Sequence, residues 1–318
     1  MFLLTDACTS VRHVTLEALP APPCATAAAD VQWIGPADRA DRARLSAWCA
    51  SVGPVETLAA APSAVDVARD GLIVVSWNIH EGHGDVARFV ARLQAAHPRA
   101  AIVALLQEAA RASDRIPSTY PADVRPPDRI GPVGPQADLA STAARLRMAL
   151  AYVPSMRNGA GREDRGAAIL STLPLADVAA VELPWVHQRR VAVIATVEAL
   201  ADGSPWRLRA ISVHLDNRPR RSMQAAALAA FASRLAAEPL VIGGDLNAWS
   251  GARDRTVHEL GAIAPRVDAC GNAPTFRFGL RLDHFFSTLP RELQRGCEVE
   301  RDTFGSDHHP VVLHLFQR

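Results

Sequence analysis

Short apolar runs that alternate with amphipathic patterns dominate the sequence from Gly71 onward, and they constrain the fold more than any other feature. An apolar run of about four to eight residues is typical of a buried strand, whereas apolar residues at helical spacing indicate a helix that packs on a sheet. The two signals in alternation predict an α/β protein.

The predicted strands follow one another too closely in places for a simple series of βαβ units. They span Leu72 to Trp77, Ala101 to Leu106, Met148 to Val153, Ala167 to Ser171, Val191 to Val197, Leu208 to His214, Leu240 to Gly243, Leu282 to Ser287 and Val311 to Leu315. The predicted helices that would cover the sheets span Asp85 to His97, Asp138 to Leu146 and Arg220 to Ala236. The Pro- and Gly-rich stretch from Ile116 to Gln136 is predicted to be a long surface loop.

Residues 1–70 have a different composition, rich in Ala, Pro, Asp and Arg. They contain one helical pattern, from Ala37 to Ala50, and the helix breakers Pro54 and Pro62. We therefore predict a partly helical or flexible N-terminal extension over residues 1–70 and a main domain over residues 71–318. Because every motif described below lies after Leu72, we expect the extension to be removable.

Charge and hydropathy disfavour several classes of protein. The 34 Lys and Arg residues nearly balance the 33 Asp and Glu residues, so the formal net charge of +1 gives no global signature of nucleic-acid binding. No apolar run reaches the roughly 18 residues of a membrane span, so no transmembrane segment is predicted. Met1 to Ser10 show no secretory signal, and the sequence leaves the compartment open between cytoplasm and export.

The five cysteines lack the C-x-x-C spacing of a structural zinc site. Cys270 and Cys297 flank a predicted strand and could pair in an exported protein. The sequence alone does not establish the distance that a disulfide requires, so the pairing stays open at this point.

Polar residues stand at the carboxyl ends of several predicted strands. They are Asn78, Glu108, His214, Asp245 and Asn247. Ligand sites in α/β sheets gather at such strand ends. Taken singly, each residue has a structural alternative, since Asp245 and Asn247 could form a turn, His214 could lie in the core and Glu108 could cap a helix or be exposed. Only the whole pattern supports a functional interpretation.

Several sequence blocks, in the correct order, together resemble the endonuclease/exonuclease/phosphatase superfamily over about residues 72–318. The blocks are Ser76 to His80, Leu106 to Glu108, Gly166 to Ser171 with Pro174 and Leu175, Ser212 to Asp216, Gly243 to Asn247, Leu282 to His284 and Ser306 to Pro310. The resemblance implies a four-layer α/β/β/α sandwich with two packed mixed β-sheets. It also makes residues 71–318 the expected catalytic domain of a divalent-metal-dependent phosphoester hydrolase.

The expected metal is Mg²⁺ or Mn²⁺, because carboxylate and amide oxygens are the ligands that these hard cations prefer. Glu108 is the principal expected ligand, and Asn78 and Asp307 would complete or flank the coordination sphere, with water and substrate oxygen filling the rest. A zinc site built from neighbouring histidines of the last strand is disfavoured, because consecutive strand residues point to opposite faces.

The expected chemistry is attack of a water molecule on phosphorus. We expect His308 to act as the general base or as the cationic partner of the phosphate, with Asp283 orienting its ring. The resemblance implies that Asp245 contacts or helps to activate the water, that Asn247 positions the phosphate and that His214 donates a hydrogen bond to a non-bridging oxygen. The sequence leaves open which of Asp245 and His308 removes the proton.

The sequence departs from the family pattern in places. His80 stands where some nucleases have a metal-contacting Asp, and Ala167 replaces an Asn that is often present. Tyr152 is a candidate phosphate contact, although an aromatic residue at a strand end is as often a packing residue. His309 and His284 fall on variable positions and are assigned no chemistry.

An enzyme is favoured over a catalytically silent binding module because the polar positions of the motifs are all filled by the expected residue types. A non-catalytic nucleic-acid-binding protein lacks support from the net charge. A deoxyribonuclease or other nuclease remains an alternative within the same superfamily. The expected partner is a phosphoester substrate, with lipid, small molecule and nucleic acid undecided, and we expect a monomer.

Long duplex DNA is the substrate that the sequence disfavours, because a chain at +1 has no general excess of cations for a phosphate backbone. A local basic rim could still form. Its candidate members are Arg218, Arg220, Arg221, Arg277 and Arg281.

Overall fold

The strands of the protein form two seven-stranded mixed sheets in a computed structural model that describes residues 14–20, 31–60, 65–122, 124, 138–235 and 238–316. Met1 to Ser10 and most of the predicted loop from Ile116 to Gln136 lie outside these residues. No helix within the described ranges is long and apolar enough to span a membrane.

The secondary structure of the described ranges alternates between strands and short helices. The strands are β1 (Leu16–Ala18), β2 (Gln32–Pro36), β3 (Glu56–Leu58), β4 (Leu72–Asn78), β5 (Ala101–Ala112), β6 (Ala149–Arg157), β7 (Glu163–Ser171), β8 (Leu175–Glu182), β9 (Val191–Ala201), β10 (Ser204–His214), β11 (Leu240–Asp245), β12 (Asp283–Ser287), β13 (Gln294–Val299) and β14 (Val311–Leu315). The helices are α1 (Arg39–Cys49), α2 (Val67–Asp70), α3 (Val86–Ala96), α4 (Leu139–Leu146), α5 (Arg221–Ala232) and α6 (Arg255–Gly261).

One sheet has the strand order β1-β2-β8-β9-β10-β11-β12, and the other has the order β13-β14-β4-β5-β7-β6-β3. Two parallel pairs carry predicted site residues, β10 with β11 in one sheet and β4 with β5 in the other. The carboxyl ends of a parallel pair meet at one sheet edge, so these two pairs can present polar residues at the same place.

Alternation along the strands divides the apolar residues between layers, because successive side chains point to opposite faces of a sheet. In β4, Leu72 and Val74 pack into the core between the two sheets, whereas Ile73 and Val75 face the helical layer that contains Phe89 of α3. A third cluster packs α5 and α6 against the outer face of the other sheet. The resulting order of layers is α/β/β/α, which confirms the predicted fold.

The helices begin where the sequence places capping residues. The side chain of Asp85 accepts a hydrogen bond from the Arg88 amide at the start of α3, and Asp138 caps α4 in the same way. The predicted helix from Arg220 to Ala236 was too long, because α5 ends at Ala232 and a 3-10 turn follows. Tightening of the last turn in this way is common at helix ends.

All nine predicted strands are present, and five further strands were not predicted. The missed strands are β1, β2, β3, β8 and β13. Three of them, β1, β3 and β13, lie at sheet edges, and the burial of β13 is only partial along its length. An edge strand exposes many of its side chains, so its apolar signal is weak.

The segment before residue 71 takes part in both sheets. Strands β1 and β2 extend one sheet through the parallel pairing of β2 with β8, and β3 pairs with β6 in the other. Trp33 and Val55 are buried in the core between the sheets. The division at residue 70 stays a prediction, but these contacts reverse our expectation that the segment can be removed.

A buried ionic network fastens this segment to the second sheet. The Asp164 carboxylate accepts hydrogen bonds from the Gly53 amide at 2.8 Å and from Arg111 Nη2 at 2.7 Å. Arg111 Nη1 also donates to the Pro54 carbonyl at 2.9 Å. The hydroxyl of Tyr152 donates to Asp164 Oδ1 at 2.8 Å, so this tyrosine serves the network and not the phosphate contact considered above.

A disulfide between Cys270 and Cys297 settles the pairing that the sequence left open. It joins a short 3-10 helix, Asp268–Cys270, to strand β13, with 4.4 Å between the two Cα atoms. Cys49, at the end of α1, is also disulfide-bonded.

We predict that a truncated protein beginning at Val65 is strongly destabilised, because it loses β1 to β3 and uncovers core residues of both sheets. Thermal unfolding checks this, and the matched control is a chain beginning at Val14, which retains every described strand. If the Val65 protein melted within about 2 °C of the full chain, the segment would be the removable extension that the sequence suggested.

Candidate active site

The predicted polar residues lie together at one edge of the paired sheets. Asn78 ends β4, His214 ends β10 and Asp245 ends β11. In the pairing register His214 is opposite Asp245, and Asp245 is opposite Asp283, the first residue of β12. The geometry therefore collects side chains from both sheets at the strand ends, as the sequence pattern indicated.

A hydrogen bond between side chains connects the two sheets at this edge. Asn78 Nδ2 donates to Asp245 Oδ2 at 3.0 Å. One layer deeper, Gln107 Nε2 donates to the hydroxyl of Ser212 at 3.1 Å, and that hydroxyl donates to the Leu106 carbonyl at 3.0 Å. Because these groups are buried, their mutual pairing avoids a desolvation penalty of about 1–3 kcal/mol for each unpaired group.

Two site residues depend on unusual backbone conformations. Glu108 has φ of 50° and lies where the pairing of β5 with β7 shifts register between Leu106 and Ala109. Asn247, two residues after the end of β11, has φ of 48°. A left-handed conformation costs a non-glycine residue on the order of 1 kcal/mol and is typical of functional sites. In β5, the bulge ends the regular alternation at the point where Glu108 is presented.

Gly244 permits close packing beside Asp245. A Cβ atom at this position would lie 1.9 Å from the backbone oxygen of Val213 on β10. No side chain fits there. Steric exclusion therefore explains why a glycine precedes Asp245, and the residue is more than a turn former.

His308 is bound to a buried carboxylate. Its Nδ1 lies 2.8 Å from Asp283 Oδ2, while its Nε2 points towards Asp245 Oδ2 at 3.8 Å. Burial lowers the pKa of His308, but the charge and hydrogen bond of Asp283 outweigh burial and raise this pKa to about 10. The ring is therefore an imidazolium at neutral pH.

Asp245 is the carboxylate at the centre of the site. Its Oδ1 accepts from the Asn247 amide at 2.8 Å, and its Oδ2 accepts from Asn78. Burial raises the pKa of Asp245 to about 6, against the opposing charge of His308. A carboxylate of this kind is ionised at neutral pH and is a stronger base than an exposed aspartate.

His214 has an arginine as its partner. Arg190 Nη1 lies 2.9 Å from His214 Nδ1, and both side chains are buried. His214 Nε2 lies 3.4 Å from Asp245 Oδ2 and 3.3 Å from Asn247 Nδ2. Burial, followed by the charge of Arg190, holds the pKa of His214 well below its ordinary value.

The carboxylates predicted to bind metal lie beside this group. Burial raises the pKa of Glu108, whose Oε2 is 3.9 Å from Arg165 and whose Oε1 is 3.9 Å from His214, both beyond hydrogen-bond distance. Asp307 Oδ1 lies 3.2 Å from His80 Nδ1. The donor set of Glu108, Asn78 and Asp307 is composed of oxygen atoms, and it fits a hard divalent cation.

A second group could also contact a metal. Asp245, Asp283 and His308 bring three potential ligand atoms within 4.8 Å of one another. Asp283 Oδ1 is buried without a hydrogen-bond partner among the described residues. His308 and Asp283 already hydrogen-bond to each other at 2.8 Å, so Glu108, Asn78 and Asp307 stay the expected ligands.

The structure brings all eight predicted site residues to this edge and adds three that the sequence analysis did not assign. His80 lies against Asp307, Arg165 lies near Glu108, and Arg190 contacts His214. By contrast, Arg189 is directed into the protein and pairs with Glu182. A run of two arginines before an apolar strand does not indicate which of them faces the site. Only the strand register decides it.

His309 is directed away from the site. Its Nδ1 lies 2.9 Å from the Glu300 carbonyl, whereas the adjacent His308 faces Asp245. The opposite directions follow from the alternation of an extended chain. His309 is therefore a natural control for His308.

Comparison with known proteins finds a matching family. A model described as the endonuclease/exonuclease/phosphatase family matches residues 75–308, which is more than half of the chain. No match is found among curated protein sequences.

Several solved structures are similar. An endonuclease/exonuclease/phosphatase from Beutenbergia cavernae DSM 12333 has 20% identity and a TM-score of 0.51, covering 78% of this chain and 72% of its own. A family protein from Leptotrichia buccalis C-1013-b has 14% identity and a TM-score of 0.53, with coverages of 77% and 99%. The human Nocturnin catalytic domain with bound sulfate anion has 16% identity and a TM-score of 0.51, with coverages of 82% and 96%. At these identities the similarity shows the fold.

We predict that Asp283→Asn reduces stability most below pH 6.5 and that its effect shrinks as the pH rises towards 10. The folded-state pKa of His308, about 10, lies above its ordinary value of 6.5. The stabilising contribution of the pair is therefore complete below pH 6.5 and is lost as the pH rises through 10. Thermal unfolding of metal-free wild type and variant from pH 6 to 10 measures this.

The matched control for that series is Asp268→Asn, which removes a mostly exposed carboxylate from the surface near the disulfide. Its effect should be small and should vary little over the same range. A constant gap in Tm between wild type and Asp283→Asn across the range would contradict the assigned proton.

Proposed function

Because the chain belongs to the endonuclease/exonuclease/phosphatase family, we propose that it is a divalent-metal-dependent phosphodiester hydrolase that acts at the shared edge of its two sheets. The observation that carries this proposal is the series of contacts from Asp283 through His308 to Asp245 and Asn78, in which hydrogen bonds join the outer pairs and a 3.8 Å ion-pair contact joins His308 to Asp245. It joins an imidazolium, a carboxylate and an amide within a few ångströms at the strand ends. These are the groups that an in-line attack of water on phosphorus requires.

Glu108, with Asn78 and Asp307 completing or flanking the sphere, would hold a Mg²⁺ or Mn²⁺ ion that neutralises the phosphate and stabilises the leaving oxygen. Asp245 is the proposed base, because its pKa of about 6 leaves it ionised at neutral pH. His308 already carries a proton and is the proposed cationic partner of the phosphate. We propose this division of roles for the two residues between which the sequence did not choose.

Two further residues would bind the phosphate oxygens. Asn247 Nδ2 donates to the Leu215 carbonyl at 3.0 Å, which fixes the amide beside His214. His214 Nε2 and the second hydrogen of the Asn247 amide lie beside Asp245 and could donate to non-bridging oxygens. Donors that are already in place before the reaction stabilise the charge that develops in the transition state.

An active enzyme explains this cluster better than a silent binding module does. Asp245 and Asp283 are almost fully buried, and Glu108 has a left-handed backbone. Burying carboxylates and holding a non-glycine residue at positive φ both cost folding free energy. A surface that serves only for binding needs no buried carboxylates, whereas perturbed, buried ionisable groups cluster at catalytic sites.

The exposed rim of the site supports a phosphodiester other than long duplex DNA. Of the five arginines considered as a basic rim, Arg281 donates to two backbone carbonyls and Arg221 pairs with Asp254, so neither is free to bind substrate. Arg218, Arg220 and Arg277 stay exposed. Three cations are few for a duplex, which is bound through many phosphates.

Two exposed aromatic residues accompany these arginines. Phe278 is 70% exposed and Trp249 is 46% exposed. The turn that carries Phe278 is bonded to the catalytic segment, because the Arg277 amide donates to the Asp307 carbonyl at 3.1 Å. A planar or apolar group next to the scissile phosphate could pack on these rings. The expectation of a monomer stays a prediction.

We predict hydrolysis of small and single-stranded phosphodiesters that EDTA abolishes and that Mg²⁺ or Mn²⁺ restores. The measurement is a screen of supercoiled plasmid, single-stranded oligonucleotides, sphingomyelin and a chromogenic phosphodiester at low and moderate salt. Rapid, salt-sensitive nicking of plasmid at catalytic protein levels would instead indicate a deoxyribonuclease. Full activity in metal-free protein would rule out the proposed mechanism.

We predict that His308→Ala and Asp245→Asn each lower kcat by at least about a hundredfold without loss of the fold, because each removes a group that acts in the transition state. His309→Ala is the matched control and should cost much less. Steady-state kinetics with circular dichroism of each variant measures this. Equal losses at the two neighbouring histidines would show that the catalytic histidine is wrongly assigned.

A further inference from the structure

The two histidines of the site have partners of opposite charge. His308 Nδ1 contacts the carboxylate of Asp283, whereas His214 Nδ1 contacts the guanidinium of Arg190. A carboxylate accepts hydrogen bonds and a guanidinium only donates them. His308 therefore carries a proton on Nδ1, whereas His214 has none on Nδ1.

The contact with Arg190 determines which ring nitrogen of His214 carries the hydrogen, because a guanidinium can only donate hydrogen bonds. Every polar hydrogen in this contact belongs to the arginine, so His214 Nδ1 must offer its lone pair at 2.9 Å. A ring that accepts at Nδ1 is neutral and carries its one proton on Nε2. That nitrogen lies 3.4 Å from Asp245 Oδ2, which can accept its hydrogen. Asn247 Nδ2, at 3.3 Å from Nε2, is also a donor, but this contact is longer than the 2.9 Å contact of Arg190, and the same amide already donates to the Leu215 carbonyl at 3.0 Å.

No described carboxylate is placed to impose the other tautomer. Glu108 Oε1, the acidic oxygen near His214 Nδ1, is 3.9 Å away, which is too far for a hydrogen bond. Burial and the charge of Arg190 also lower the pKa of His214, in agreement with a neutral ring.

Arg190 is held in place by the loop that precedes β9. Asp216, two residues after His214, accepts hydrogen bonds at Oδ2 from the backbone amides of His187 and Gln188 at 3.1 and 3.2 Å. In the orientation that satisfies its neighbours, the side-chain oxygen of Gln188 accepts from the guanidinium of Arg190. The segment from His214 to Asp216 therefore positions both the histidine and the loop that carries Arg190.

We propose that Arg190 is a positioning residue that locks His214 as a neutral Nε2–H donor to a non-bridging oxygen of the bound phosphate. Arg190 acts through the imidazole and is 6% exposed, with its Nη1 bonded to the ring. The catalytic half of this inference rests on the proposed hydrolase function, but the tautomer itself does not. His214 is then an electrophilic hydrogen-bond donor in a site where His308 is the cation.

Long-range ¹H–¹⁵N spectra of the histidine rings in the metal-free full chain test the tautomer, with His214 assigned from the loss of its signals in His214→Gln. We expect an unprotonated Nδ1 and a protonated Nε2 in wild type and in Arg190→Lys, which keeps a charged donor. Arg190→Met removes the donor and should shift the ring towards protonation at Nδ1. A wild-type ring protonated at Nδ1 would overturn the proposal, and this result requires no variant to fold.

Arg165→Met is the matched control for charge. Arg165 lies in the same pocket as Arg190 and near Glu108, but it donates no hydrogen bond to His214. Its removal deletes one buried positive charge and should leave the His214 tautomer unchanged. If Arg165→Met moved the tautomer as far as Arg190→Met, the local charge would be responsible, and the proposed hydrogen-bond lock would be wrong.

Kinetics separate positioning from a structural role. We expect Arg190→Met to lower kcat by about tenfold or more with little change in KM, and Arg190→Lys to recover part of the loss, because the donor acts in the transition state. An Arg190→Met protein with altered tautomer and unchanged kcat would overturn the catalytic half. If wild type hydrolysed no phosphodiester, the proposed function would fail, while the spectra would still decide the tautomer.

Discussion

The packing of two sheets against each other is the constraint on which the rest of the structure depends. A sheet that is covered by another sheet on one face and by helices on the other needs strands that are apolar on both faces, as in β4 and β11. Polar side chains are then tolerated mainly where the strands end. The site occupies that location because the core leaves few other places for groups that must meet both water and one another.

The electrostatics of the site follow from this placement. Asp245, Asp283 and Glu108 are crowded into a region of low polarity, and each needs a nearby positive or donating group. His308 supplies a proton to Asp283, Asn78 donates to Asp245, and Arg165 and Arg190 lie on the Glu108 side. These carboxylates already have positive or donating partners in the protein. The proposed cation would therefore bind to a site that is formed before the metal arrives.

The sequence predicted the layers and the site because both depend on local patterns that survive in the fold. Apolar runs ending in Asn78, His214 or Asp245 indicate a strand and its functional end at once. It did not predict β1, β2 and β3. The place of β2 depends on β8, more than 140 residues away, and that of β3 on β6, more than 90 residues away, while Gly53 contacts Asp164 across 111 residues. The sequence analysis did not assign Arg190 to the site for a related reason. The role of this arginine depends on the register of β9 and on a loop whose backbone amides donate to Asp216. Long-range pairing leaves no short motif in the chain.

The disulfide between Cys270 and Cys297 encloses Asp283 and the exposed Phe278 within one covalent ring of the chain. Closing a loop of this length removes conformational freedom from the unfolded chain, in a chain-entropy model by an amount worth about 3–4 kcal/mol. The redox conditions around the protein decide whether this disulfide is closed. They therefore set the entropic cost of folding the segment that carries Asp283. The assigned site residues contain no sulfur. Forming or reducing this disulfide should therefore change the stability of the folded protein but not the chemistry of the site.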